Sequence, residues 1–160
     1  MSARAQYAVT EWLHKGRTGP LYLSYMGLTA LPPLPPDLTD LRCVGNALMA
    51  LPPLPPQLRI LDVTDNRLTS LPLPLPQTLE QLYCSRNHLT DEVLPPLDGW
   101  PPRLHTLHCN RNRLRQCPEM PAHVSRRLVG VCWTFRPHLL RGEARCPCCG
   151  QPAGTFGPSI

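Results

Sequence analysis

No stretch of this chain approaches the roughly 18 consecutive apolar residues that a membrane-crossing helix needs. Its first residues, MSARAQYAVTEWLHKG, hold no apolar core of the kind that a secretory signal carries. A chain without marks for secretion or insertion is expected in the cytoplasm, away from any membrane. Aromatic residues are scarce at 6%, so no stacking platform for single-stranded nucleic acid stands out. Lysine is nearly missing, because fifteen of the sixteen basic residues are arginine. Also absent are H-E-x-x-H, G-x-S-x-G, a phosphate-cradling glycine loop and a carboxylate pair in a supporting context. An enzyme is not expected.

What is abundant is proline, at 22 of 160 residues, and cysteine, at 8. The length suits one domain with one continuous core. Proline at this level without a period would indicate disorder. Eight cysteines in a chain not marked for export point to core positions or metal ligands rather than a disulfide framework. Charge is divided unevenly. Residues 1–102 hold seven Arg/Lys against nine Asp/Glu, for −2, and residues 103–160 hold nine Arg against Glu119 and Glu143, for +7. A partner of the C-terminal part is therefore expected to be acidic.

The prolines do have a period. LTALPPLPPDLTDL begins at Leu28 and LMALPPLPPQLRIL at Leu48. Aligned on leucine, the sequence resolves into five units starting at Thr18, Leu38, Leu58, Leu79 and Leu104, in the pattern L-x-x-L-x-V/C-x-x-N-x-L. The first unit carries Met26 where the others carry Asn46, Asn66, Asn87 and Asn112. Apolar and polar residues alternate around each second leucine, which predicts a short strand with one face buried. The asparagine follows, where the chain turns inward and its amide can bond backbone groups of neighbouring turns. Prolines fall on the return leg, which must be extended and needs no ladder of N–H donors. A free PPLPP ligand would look similar locally, but the period favours scaffold. No unit can fold alone, so the units must stack.

These units resemble leucine-rich repeats of the short LPX class, as in bacterial effectors of the invasion-plasmid-antigen-H and Yop M kind. The run L-Y-C-S-x-N-x-L-T from Leu82 to Thr90 is also similar to repeats encoded by large DNA viruses. The resemblance covers residues 18–120. It implies a leucine-rich-repeat solenoid, a right-handed superhelix with a parallel concave β-sheet of about five short strands and an extended proline-rich convex side. It also places the chain in a host cytoplasm or a virion. Some effectors of this kind add a ubiquitin-ligase domain with a Cys-x-Asp nucleophile. This sequence contains no Cys-x-Asp, so ligase activity does not carry over.

The ends read as caps. Residues 1–17 are expected to form an N-terminal helical cap, with Ser2 as N-cap and Ala5, Val9, Trp12 and Leu13 on one helical face. Residues 121–160 are expected to form a C-terminal cap with a cysteine-rich tail. Within it, C-P-C-C-G at Cys146–Gly150 resembles one knuckle of a zinc ribbon. With Cys146 and Cys149 as two ligands, Cys132 and His138 complete a candidate set for one structural zinc, and a metal-free thiol cluster is the alternative. Cys43, Cys84 and Cys109 hold the valine position of the repeat and read as small buried hydrophobes. Trp100, in the insertion of the fourth unit, reads as cover for the core.

Positions beside the strand leucines are the candidate partner-binding surface: Tyr22, Tyr25, Arg42, Asp62, Asp65, Tyr83, Arg86, His108 and Arg111. They run from aromatic through acidic to basic, and Tyr and Arg are frequent hot-spot residues. The leading expectation is a non-enzymatic protein–protein interaction module that holds its partner on the concave face. A structural role in a larger assembly such as a viral particle is one alternative. Nucleic-acid binding through the basic C-terminal part is the other, and the less expected.

Overall fold

The leucine at the centre of each unit is the residue that every strand buries. The computed structural model describes residues 3–114. Helix α1 (Ala3–His14) is followed by β1 (Leu21–Tyr22), β2 (Asp40–Arg42), β3 (Ile60–Asp62), β4 (Gln81–Tyr83) and β5 (Thr106–His108). The strands form one parallel sheet in chain order. Leu21, Leu41, Leu61, Leu82 and Leu107 pair in register, and none is more than 1% exposed. Side chains alternate across a strand, so burying these leucines turns the flanking residues to the opposite, concave side.

Further sets of apolar residues, most of them leucine, complete the core. They are the first leucine of each unit (Leu38, Leu58, Leu79, Leu104), the residue two beyond the strand leucine (Leu23, Cys43, Val63, Cys84, Cys109), and the leucines after the turn (Leu28, Leu48, Leu68, Leu89) and along the return leg (Leu31, Leu71, Leu75). Between successive rungs the chain coils once, and each coil closes by a tight turn. The carbonyls of Pro35, Pro55, Pro76 and Pro101 accept from the N–H of Leu38, Leu58, Leu79 and Leu104 at 3.0–3.2 Å. Pro36, Pro56 and Pro102 stand at the second position of three of these turns, where their fixed φ is already correct. Proline therefore serves two purposes. One ring of each phrase packs inward, and the next bends the chain toward the following strand.

The asparagines hold coil to coil. Asn66 Nδ2 donates to the carbonyls of Cys43 and Val63, both at 3.0 Å, while its Oδ1 accepts from Leu48 N at 3.1 Å. Asn87 repeats this with Val63 O, Cys84 O and Leu68 N. Asn112 does so with Cys84 O, Cys109 O and Leu89 N. Asn46 reaches Leu23 O and Cys43 O, and its Oδ1 accepts from both Met26 N and Leu28 N. The first unit needs no asparagine of its own because there is no earlier coil for that amide to join.

At the N-terminal end, α1 buries Ala5 and Trp12 against the first coil, with Ala8 and Val9 packed beside them. Trp12 Nε1 donates to Gly19 O at 3.0 Å, which fixes the helix to the strand entry. Leu13 differs from the sequence expectation: it lies at the margin of the buried face and is exposed. The longer fourth unit places its extra residues in two short 3-10 turns, Asp91–Val93 and Leu97–Gly99, and Trp100 after them is buried. Trp100 acts as cover. Ser2 and the C-terminal residues, including the candidate zinc ligands Cys132, His138, Cys146 and Cys149, lie outside the described residues.

Replacing Asn66 by alanine strips partners from one N–H and two C=O groups, so a loss of roughly 2–4 kcal/mol is expected in urea denaturation. Asn66→Asp should cost at least as much near pH 7, since an unpaired carboxylate would face two carbonyls. That buried carboxyl would have a raised pKa. Its destabilising effect should be complete above the folded-state pKa and shrink as pH falls through it. Equal denaturation midpoints for Asn66→Asp and the parent chain at pH 7 would contradict this role.

Candidate functional site

The concave face is built from the strand residues that alternation turns away from the core. Its far row, in register along the sheet, is Tyr22, Arg42, Asp62, Tyr83 and His108. Its near row is Asp40, Ile60, Gln81 and Thr106. Because neighbouring strands stand about 4.8 Å apart, side chains within each row lie close enough to interact directly. They do so in two groups.

The first group is charged. Arg42 donates through Nε to Asp40 Oδ1 at 2.7 Å and through a terminal nitrogen to Oδ2 at 3.2 Å. Asp62 Oδ2 lies 3.8 Å from its other terminal nitrogen. Hydrogen bonding to Asp40 raises the Arg42 pKa above its ordinary value, with Asp62 adding to the effect and partial burial opposing it. Asp62 also accepts the N–H of Thr64 through Oδ1 at 3.1 Å, which fixes its orientation. A forked arginine–carboxylate pair of this kind is geometrically specific. Arg42 is thus committed inside the face, and the cluster of two carboxylates and one guanidinium presents a net negative charge.

The second group is aromatic. The Tyr83 and His108 rings meet edge-to-face with centroids 4.9 Å apart, and Tyr83 Oη donates to Gln81 Oε1 at 3.1 Å. Burial lowers the His108 pKa below the ordinary histidine value, against a smaller opposing pull from Asp62. Two residues further along the same two coils, Ser85 hydrogen-bonds Asn110. By contrast Tyr22 and Tyr25 at the other end of the sheet are exposed, at 62% and 76%.

Beyond the strands lies a third row that sequence reasoning placed on the face without seeing its backbone. Tyr25, Gly45, Asp65, Arg86 and Arg111 occupy equivalent turn positions, and all have φ between 54° and 66°. In the second to fifth coils the left-handed conformation lets the chain swing its asparagine inward. Each N–H of the first four donates to a carbonyl of the next coil: Val44, Thr64, Ser85 and Asn110. Only Gly45 is a residue that favours this region outright, and there a Cβ would also overlap the Tyr25 ring. Asp65 tolerates it better than most. Tyr and Arg give no hint of it, which is why the pattern was hidden. The near row, Asp40 above all, was also missed, although the same alternation that exposes Arg42 exposes the residue before the leucine.

The buried thiols offer no chemistry at this site. Burial pushes Cys43 up to about 12 and Cys84 well above the ordinary thiol value, so both stay protonated near neutrality.

His108 titrates below its unfolded value of about 6.5, so the unfolded chain binds the extra proton first. Stability should therefore rise with pH through the interval between the two pKa values, and be flat in this respect above it. His108→Gln should remove that component from the pH dependence of the denaturation midpoint. Following the ring by NMR should show titration below that of a free histidine, and a value above 6.5 would contradict the burial seen here.

Comparison with known proteins bears on the scaffold that carries this face. Residues 57–79 match the Leucine Rich Repeat family. Among solved structures, YopM from Yersinia enterocolitica WA-314 is 36% identical with a TM-score of 0.66, over 74% of this chain and 25% of that one. YopM from Yersinia pestis, a leucine-rich effector protein, is 31% identical with a TM-score of 0.67, over 76% and 33%. A Shigella effector leucine-rich-repeat domain is 29% identical with a TM-score of 0.58, over 72% and 59%. The chain thus spans less than two-thirds of the length of each of these three. No curated protein matches it. With the five-stranded parallel sheet, these matches show the chain to be a leucine-rich-repeat solenoid similar to YopM-type effectors.

Proposed function

We propose that the chain is a non-enzymatic protein-interaction module that holds a partner protein on its concave face. The observation that carries this reading is the division of labour within each strand. The central leucine is buried, while the residues flanking it form one graded surface from exposed Tyr22 to half-buried His108. The likeness to effector leucine-rich-repeat structures supports the same role. Much of the face is already organised by internal bonds. Arg42 is forked on Asp40, and Tyr83 is held by Gln81 and His108. A partner would meet side chains that lose little rotamer freedom on contact, which lowers the entropic cost of association.

A photo-reactive phenylalanine analogue placed at Tyr22 or Arg86 should yield a discrete cross-linked species in cells that make the chain natively. The same group at exposed Pro53 or Gln57 on the return leg should not. Cross-linking from the return leg alone would overturn the assignment. Once the partner is purified, Tyr22→Ala should weaken binding by ~2 kcal/mol, about 30-fold, as expected of a tyrosine hot spot.

A further inference from the structure

The turns that follow the strands carry a second pattern, parallel to the strand rows. Two residues beyond the left-handed position, Arg67, His88 and Arg113 stack along one edge. The N–H of His88 bonds Leu68 O and that of Arg113 bonds Leu89 O, each at 2.9 Å, so these positions lie directly coil above coil. Arg86 and Arg111 occupy the adjoining left-handed row in the same two coils. Arg67, Arg86 and Arg113 are exposed, and none takes part in an ion pair among the described residues. The acidic residue in these turns is Asp65, one coil before Arg86. The carboxylates of the strand rows, Asp40 and Asp62, are turned toward Arg42. A basic ridge thus occupies the third to fifth coils, and the exposed aromatic pair, Tyr22 and Tyr25, occupies the first.

We infer that this module selects a bipartite protein segment that crosses the strands, with an apolar residue seated on Tyr22 and Tyr25 and a carboxylate cluster on the Arg67–Arg86–Arg113 ridge. The inference rests on the concave-face reading and adds the chemistry of the occupant. Guanidinium groups that lack internal partners bind carboxylates by forked hydrogen bonds, with complementary potential steering the approach. Asp65 and the Asp40–Arg42–Asp62 cluster repel acid over the strands of the second and third coils, which favours carboxylates on the ridge formed by the turns of the third to fifth. The distance from Tyr25 to Arg86 is three strand steps, ~14 Å. An extended segment covers that in about four to five residues. Nucleic acid fits less well. The exposed rings lie at the opposite end from the arginines, and the ring beside the arginines, Tyr83, is already packed on His108.

The test uses the full chain and fluorescently labelled peptides at 150 mM salt, read by anisotropy. One peptide carries a leucine pair and a triple-glutamate block five residues apart. A second has glutamine for glutamate, and a third has serine for leucine. The first should bind at least tenfold tighter than either control. Arg67→Glu with Arg113→Glu should weaken the first and third peptides at least tenfold and leave the second unchanged. Tyr25→Ala should weaken the first and second and spare the third. Neither position 67 nor position 113 lies in the left-handed row, and an unchanged thermal midpoint confirms that the variant is folded. Equal binding of the glutamine peptide would overturn the inference. So would indifference to the charge reversal, or a 20-nucleotide single strand binding tighter than the first peptide. If cross-linking from Tyr22 persists while the peptides fail, the interaction module stands and the bipartite occupant falls.

Discussion

A carboxamide with both ends occupied inside the protein is the constraint from which the rest of this structure follows. Each stacked asparagine satisfies carbonyls of two successive coils with its nitrogen and an N–H of the earlier coil with its oxygen. Without it, the inward turn after every strand would bury backbone groups that have no partner, at a cost of 1–3 kcal/mol apiece. The side chain must come from a residue whose backbone has just reversed hand. The preceding position therefore adopts a left-handed conformation at every level, whether it is Gly45 or Arg86.

The prolines answer a different constraint. On the return leg no sheet is available to accept N–H donors, so residues without a donor leave nothing unsatisfied there. Their rings supply buried surface at Pro35, Pro55, Pro76 and Pro101, and the same residues offer the carbonyls that close the tight turns. A phrase that could serve as a ligand elsewhere is consumed here by geometry. The insertion before β5 shows how the stack absorbs irregularity: two 3-10 turns take up the added chain, and Trp100 seals the core beneath them.

Leucine spacing alone was enough to place the strands, because a buried residue in a two-residue alternation has one register that works. Leu41, Leu61, Leu82 and Leu107 leave no freedom. The site was legible more unevenly. Tyr22, Arg42, Asp62, Tyr83 and His108 could be named as neighbours from the period. The pairing of Arg42 with Asp40 could not, since it depends on rotamers and on a residue that the repeat pattern leaves undefined. The left-handed row was invisible for a related reason. Tertiary hydrogen bonds, rather than intrinsic preference, hold Tyr25, Asp65 and Arg86 in that conformation. Leu13 failed at the margin of a helix face, where a single turn of the wheel separates contact from solvent.

The reversed backbone at positions 25, 45, 65, 86 and 111 has an evolutionary corollary. At 25, 65, 86 and 111 the side chain is exposed and contributes little to the hydrocarbon interior, so one type can replace another with the strain already met by the stack, whereas at 45 any side chain would meet the Tyr25 ring. Exchange of whole coils, or point changes at these four exposed sites alone, would redraw the outer ridge while the scaffold stays as it is. Specificity in such a chain is written in a column that folding barely reads.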